Sequence, residues 1–540
     1  MKHRSLQCLS AFGVASLLVA AAPSARASSF SLFGDQSVTN SGIAGAGGAA
    51  VAYDASTIFY NPAGMSFLDS KLTITSGVSY ILPSIQFSNN GSVTAPGSPL
   101  QQPTTGGSTG PVGSNNAGFF NSSVPQFYVA YKVNDRLSFG VGVNAPFGLE
   151  TDYNETSVLR YNATNSRITN VNINPTISYK ILDNLSIGAG FNAGYTQAGL
   201  SSAIDFGLVN AQFASGVQAG ILNNAAIPAA LRPTVAAAAV GATAVTIGGV
   251  TPQVRDGFVR FGGEGWGYGW NVGLLYEPIK GTRLGLAFRS NLNTTIDGHS
   301  RFTNVPAYSG LTAPVTNAVV AALTPLVGVP TATAIGTSVG TSVGASGNGL
   351  NQRFITNRPI SAGVDLPMSA SGSFVQKVTP AFSVLGDVTW IRWSSIQQIA
   401  IIYNDLPALS PTPLALNYKN AFRYSLGATY EAGPALFRLG LAYDNTPVES
   451  SVTRTPRLPD SDRVTIGAGL SFKVGPSMNI DLGYNHLFFQ ASNISNSDNA
   501  GHVVNGKYNT HADIFSAGGT IRYGSTMAVK RPEPKTVYTK

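Results

Sequence analysis

Cysteine is almost missing from this chain: there is one in 540 residues, Cys8. It falls in a stretch that reads as a removable leader. Lys2, His3 and Arg4 make a basic start, residues 11–22 are an apolar run, and Ala25-Arg26-Ala27 has the small-x-small spacing of a cleavage site. The apolar run is too short to span a bilayer, and Cys8 precedes it, so it is no lipid-anchor site. Residues 1–27 are therefore expected to be a signal peptide, with a mature chain starting at Ser28. That chain has no cysteine, which excludes disulfides and thiol chemistry. Charge is also scarce, at 11% of residues, less than half the usual share. The formal +8 falls to +5 when Lys2, Arg4 and Arg26 leave with the leader. What remains is dispersed, so nucleic acid is not an expected partner. No purely apolar run of membrane-helix length follows the leader. The five His are scattered without metal-ligand spacing, and no Ser/His pair stands out. Gly45-x-Gly47-x-x-Ala50 matches a dinucleotide fingerprint in form only, since it follows no strand. No enzyme activity, metal or cofactor is expected.

Glycine, by contrast, is abundant, with 60 residues. Much of it alternates with apolar side chains. Val464, Ile466, Ala468, Leu470 and Phe472 oppose Thr465, Gly467, Gly469 and Ser471; Leu185, Ile187, Ala189, Phe191 and Tyr195 oppose Ser186, Gly188, Gly190, Asn192 and Thr196. Such segments are strands with one apolar and one small polar face. The apolar sets often end in Tyr or Trp, as at Tyr195, Trp390, Tyr430, Tyr443, Tyr484 and Tyr523, as in an interfacial aromatic girdle. The opposite face is small rather than Lys/Glu-rich, which suits a filled interior. An exported, charge-poor, two-faced sheet is stable in lipid only when closed. The expected fold is all-β: a fourteen-stranded antiparallel transmembrane β-barrel over residues 71–524, in a bacterial outer membrane. The fourteen segments are 72–87, 124–132, 137–147, 169–181, 185–203, 267–276, 283–294, 359–378, 381–402, 418–430, 435–445, 463–474, 477–489 and 511–523.

The linkers alternate in length. Asn134-Asp135, Asp183-Asn184, residues 278–282, Thr379-Pro380, Gly433-Pro434 and Gly475-Pro476 are short turns. Every other linker is longer, and short turns mark the periplasmic end. Long outer loops are expected at 88–114, 205–256 and 301–351. Within them residues 222–227, 233–240 and 316–327 read as helical, and 331–349 as small and loose. The two Ala-rich loops are apolar enough to line a greasy outer groove. Residues 28–70 show neither alternation nor a long helical stripe and read as a plug, or hatch, inside the barrel. Residues 525–540 read as a periplasmic tail.

Several segments carry a family resemblance. They are GAGGAAVAYDASTIFYNPAGM at 45–65, the stretch from Arg160 to Asn192, GEGWGYGWNVGLLYEPIKGTRLGLAFRS at 263–290, DLPMSASGSF at 365–374, DVTWIRWSSI at 387–396 and PRLPDSDRVTIGAGLSF at 456–472. In this order the chain resembles the FadL/TodX family of outer-membrane transporters for long-chain fatty acids and aromatic hydrocarbons. The long loops and the continuation past Tyr523 depart from the family pattern. The resemblance implies a hatch, an outer groove between the loops after the fifth and seventh strands, a pocket beside the hatch, and lateral exit at a kinked third strand. Gly140, Gly142 and Pro146 would weaken that strand. Asn61, Pro62 and Ala63 would set the turn below the hatch and gate it. Phe30, Leu32 and Phe33 would offer apolar ligand contacts, and Arg160, Arg423 or Arg438 a carboxylate partner. The expected partners are hydrophobic small molecules, fatty acid or hydrocarbon, with outer-membrane lipid around the barrel and detergent in solved structures. The alternative function is a general porin or a loop-displaying surface adhesin.

Overall fold

The structure, a computed structural model, describes residues 33–93, 123–498 and 500–525. Its first strand, Ser70–Asn89, pairs with Ser123–Lys132 on one side and with the last strand, Val503–Ser525, on the other. The sheet is thus a tube with no edge exposed to lipid. Counting interrupted strands as single staves gives fourteen. The third is Leu137–Asn144 resumed at Gly148–Asp152, then come Asn165–Leu182, Leu185–Asp205 and Asp256–Ile279. The seventh is Thr282–Arg289 with Leu292–Thr303, the eighth Arg358–Leu366 with Ser369–Lys377, the ninth Phe382–Ile391 with Ile401–Tyr403. Ala421–Ala432, Ala435–Asp444 and Arg463–Lys473 follow, then Met478–Phe489 with Ser492–Ser497, and Val503–Ser525. Every described pairing is antiparallel between sequence neighbours, apart from the closing pair. The six short turns fall between staves two and three, four and five, and so on, at one end of the tube.

The alternation points as expected. Leu286, Leu439, Ile466 and Phe515 face outward and are at least half exposed, as side chains meeting lipid must be. Several staves run further than the sequence suggests, notably the sixth and the last, because glycine and scattered polar residues interrupt the alternation in their outer parts. The third stave breaks after Asn144, and the ninth after Ile391.

The outer loops differ from expectation. Two helices, Phe206–Leu222 and Arg232–Thr246, fill the loop after the fifth stave, and two more, Thr312–Val327 and Val329–Asn351, that after the seventh. Residues 223–227 are a turn, and 331–349 are helical rather than loose. The missed helix has a readable cause. Gly336, Gly340, Gly344 and Gly347 form one stripe, and a Cβ there would lie 2.7 Å from Val320, 2.0 Å from Thr316, 2.0 Å from Thr312 and 2.4 Å from the Tyr308 carbonyl. Close packing against the preceding helix offsets what glycine costs a helix interior. Residues 336–344 also spell Gly-x-Ser-x-Gly twice, but inside a helix, with no strand-to-helix turn to expose a serine. The apolar faces of the four helices bury one another through Val217, Ile221, Val235, Val315, Val319, Leu323 and Val343. The helical stretch Ala229–Thr246 is long and apolar enough to cross a membrane, with mean hydropathy 1.2, yet it belongs to this bundle.

Candidate functional site

Residues 33–67 occupy the bore. They form a turn, Phe33–Asp35, short helices Val38–Ser41 and Thr57–Tyr60, and a 3-10 stretch, Pro62–Phe67. The wall's inward glycines are their seat. A Cβ at Gly440 would stand 2.1 Å from the Ile43 carbonyl, one at Gly285 2.0 Å from the Ala49 carbonyl, and one at Gly188 2.5 Å from the Ala63 nitrogen. The small face of the strands is therefore where backbone meets backbone. Polar bonds complete the seat. Arg423 donates to the Ala44 carbonyl (2.9 Å), Arg522 to the Tyr53 carbonyl (2.7 Å), and the Ala49 N–H to Ser373 (2.9 Å).

Asn61, Pro62 and Ala63 form the foot of this segment and are wholly buried. The Asn61 amide donates to the carbonyls of Ala49 (2.6 Å) and Leu274 (3.0 Å), and its oxygen accepts from the Ala63 N–H (3.1 Å). The last bond caps the 3-10 stretch, while Pro62 supplies its preset first residue. Ser186 and Ser178 donate to the Ala63 carbonyl at 2.8 and 3.2 Å.

The third stave meets the same segment. A Cβ on Gly140 would lie 2.5 Å from Met65 and 2.6 Å from Ile58, and one on Gly142 would lie 2.8 Å from Tyr128. These glycines thus admit the hatch against the wall. The weak point is one turn on. The second and third staves pair only from Phe127 and Val143 to Lys132 and Ser138. Beyond that, Ser123 to Gln126 pair with the first stave alone, and Gly148–Asp152 with the fourth alone. Pro146, which has no N–H for a ladder, lies in the break. Gln36 of the hatch fills the missing bonds: its amide donates to the Ala145 carbonyl (2.9 Å) and accepts from the Ala145 N–H (3.0 Å). Tyr128 donates to the Gln36 carbonyl (2.8 Å). Ile81, Val124, Ala145 and Ile514 give the break an apolar lining.

Two small adjoining cavities lie against the hatch, with about 60 and 40 Å³ of room. The outer one has an apolar side, Ile391, Trp393, Pro447 and Leu458, and a charged side, Arg423, Asp444, Asp460 and Arg463. The inner one is more polar, with Phe59, Tyr60 and Pro62 against Asn271, Asp387, Arg289 and Arg423. Gly34, Thr389 and Arg423 border both. Arg423 and Arg438, carboxylate candidates by type, are engaged by Asp444 (3.0 Å) and Asp481 (3.6 Å). Phe30 and Leu32 lie outside the described residues, and Phe33 opens the turn Phe33–Asp35.

Arg160 does not reach these cavities. It sits in the loop after the third stave, bonded to Asp256 (2.7 Å) and Tyr161 (2.9 Å). A long side chain in a polar loop finds the nearest acid, and here that acid opens the sixth stave. Tyr161 also donates to Asp256 (2.7 Å) and stacks on His502 at 4.2 Å. The buried His502 ring lies 2.7 Å from Asp498 and 3.5 Å from Asp205. Asp205 in turn accepts from the Leu208 N–H (2.9 Å), capping the first loop helix. Burial would lower the His502 pKa, but the carboxylates of Asp205 and Asp498 outweigh it and push it up to about 9. A group raised above its ordinary 6.5 stabilises fully below that pH and loses the contribution as pH rises through about 9. Amide protection at the base of the loop helices, taken relative to the intrinsic base-catalysed exchange rate, is therefore expected to fall between pH 6.5 and 9.5. The change corresponds to up to about 3 kcal/mol. His502→Phe should flatten the profile; an unchanged profile in that variant would rule the histidine out as its source.

Comparison with known proteins agrees with this architecture. A family model described as outer membrane protein transport protein (OMPP1/FadL/TodX) matches residues 18–523. The long-chain fatty acid transport protein of Escherichia coli K12 is 26% identical over 497 residues, covering 92% of this chain and 95% of that one. Outer membrane protein P1 of Haemophilus influenzae is 25% identical, covering 95% and 97%. A crystal structure of a Pseudomonas aeruginosa FadL homologue superposes with a TM-score of 0.68 at 23% identity, over 90% of this chain and 98% of that one. A plugged fourteen-stave barrel, matched along nearly its whole length, places the chain in the OMPP1/FadL/TodX family of bacterial outer-membrane transport proteins.

Proposed function

We propose that this protein takes up hydrophobic molecules, long-chain fatty acids or aromatic hydrocarbons, by passive transfer through the outer membrane. Cargo enters between the outer loops, rests in the two cavities, and leaves sideways through the break between the second and third staves. The hatch responds because cargo binds its two positions with different affinity, since no energy source is coupled to it. The observation that supports this reading is the break in strand pairing itself, packed with apolar side chains and bridged by a side chain of the hatch, Gln36. An apolar molecule leaving there enters lipid without crossing water. The names of relatives speak of long-chain fatty acids and of toluene. The filled bore speaks against a general porin, and the inward-directed cavities against an adhesin.

The test is uptake of labelled oleate and toluene by cells lacking their own transporter. Expression should raise uptake of at least one while the purified protein shows little steady current in planar bilayers. A large ohmic current with no uptake of either would favour the porin.

A further inference from the structure

The lipid-facing wall is not evenly covered. Gly372 and Gly386 stand directly opposite Val388 and Phe374, which face lipid, so both glycines lie on the outer face and add no side chain to it. There the wall has a groove of about 420 Å³, far roomier than the cavities at the hatch. Phe374, Leu426 and Leu441 wall it, and each is at least 40% exposed. Tyr424 and Tyr443, opposite each other on neighbouring staves, stand at its outer end. The Tyr443 hydroxyl donates to Asp462 (2.8 Å), as a girdle tyrosine does where lipid meets water. The groove therefore lies in the outer half of the bilayer.

Above the groove stand two cations. Arg392 follows the ladder of the ninth stave, and its N–H still bonds the Met368 carbonyl at 3.0 Å. Lys419 lies two residues before Ala421, the partner of Ile391. The Ser394 N–H donates to the Asn420 side chain (3.2 Å), which keeps the two segments side by side. Arg392 and Lys419 are exposed, and neither has a carboxylate within ion-pair distance among the described residues. Of the acids at this rim, Asp462 is engaged by Tyr443 and the Thr446 N–H, and Asp365 lies three residues beyond Met368 on the eighth stave. Val388 to Arg392 is four residues, about 13 Å along a tilted stave. A headgroup layer of roughly 5–8 Å and the reach of a long side chain span that distance. Neighbouring cations in a headgroup layer favour phosphate between them. We propose that the groove seats one acyl chain of the phosphorylated glycolipid of the outer leaflet, its phosphates held by Arg392 and Lys419. The seat belongs to the barrel wall and does not depend on what the barrel carries. In a ring of fourteen staves, the junction of the ninth and tenth is seven from that of the second and third. A lipid held here thus leaves the wall beside the break free.

Native mass spectrometry of the detergent-solubilised full chain, titrated with diphosphoryl lipid A and with its monophosphoryl form, tests the seat. The two probes share their acyl chains and differ by one phosphate. One lipid should bind per barrel, the diphosphoryl form about fivefold more tightly. Arg392→Gln combined with Lys419→Gln should bring the two forms level, and Arg392→Lys alone should keep most of the difference. Gly372→Leu fills the groove, since a Cβ there meets only Leu286, at 3.6 Å. It should weaken both forms roughly tenfold and leave their ratio unchanged. These positions face away from the bore, and the band shift in unboiled gels verifies each barrel. Equal affinity for the two forms in the unmodified protein overturns the phosphate seat, and needs no variant that must fold. Unchanged affinity in a correctly folded Gly372→Leu barrel overturns the groove. Particles of two chains that retain no lipid would make this face an interface between copies, and the proposal fails.

Discussion

Deleting Asn61, Pro62 and Ala63 is expected to abolish fatty-acid uptake and to turn a quiet barrel into a steady conductor. The three residues hold the foot of the hatch through bonds that reach Ala49, Leu274, Ser178 and Ser186. Loss of the Asn61 amide leaves the carbonyls of Ala49 and Leu274 without that donor in a buried setting. Loss of Ala63 leaves the Ser186 hydroxyl without its acceptor, while Ser178 keeps Ser66 and the Ile187 carbonyl. Each stranded group costs about 1–3 kcal/mol. Even two of them shift the seated-to-unseated ratio by roughly thirtyfold or more. A single substitution should give the same phenotype through shape. Gly273 lacks a Cβ where the Asn61 oxygen sits, 1.9 Å from the position that Cβ would take. Gly273→Val therefore pushes the foot away while leaving the stave's ladder intact. Bilayer current and labelled oleate uptake are measured together on barrels whose insertion is verified by their band shift in unboiled gels. Undiminished uptake with a correctly inserted barrel would refute a gating role for these residues.

The wall was readable from sequence because a strand's two faces are written in adjacent residues. Leu185 to Tyr195 and Val464 to Phe472 announce an outside and an inside without reference to anything distant. The turn dipeptides did the same for the hairpins. What the sequence concealed depends on long-range partners. The Gly face of the staves looks like generic lumen until Ile43, Ala49 and Ala63 are laid on Gly440, Gly285 and Gly188. Residues 331–349 look loose because glycine disfavours an isolated helix, although their spacing of four was a usable sign of close helix contact. Arg160 was assigned to the lumen on residue type, whereas Asp256, some hundred residues later, decides its place. The break in the third stave was visible at Pro146, but that Gln36 replaces the absent ladder bonds is a matter of tertiary structure.

Stitching that break is the second large effect. Val124 and Ala145 face each other across it in one apolar cluster, both buried. Cys8 is the one cysteine of the sequence, so Val124→Cys with Ala145→Cys in a Cys8→Ser background introduces a single thiol pair. Ala145 bonds Gln36 through its backbone, so the substitution preserves that contact. Oxidation, or a short bis-maleimide where the sulfurs stand too far apart for a disulfide, should bring oleate uptake to background, and reductant should restore the disulfide-linked form. Conductance should remain low throughout, because the hatch is untouched; this separates a closed side exit from a damaged plug. Gln36→Leu should act in the opposite sense. It frees the Ala145 N–H and carbonyl from the hatch, so the two sides of the break are no longer tied to the plug's position. Amide exchange at residues 143–147 should then quicken. If the cross-linked barrel still delivers oleate at the uncross-linked rate, cargo leaves by another path and the break is only a bend in the wall.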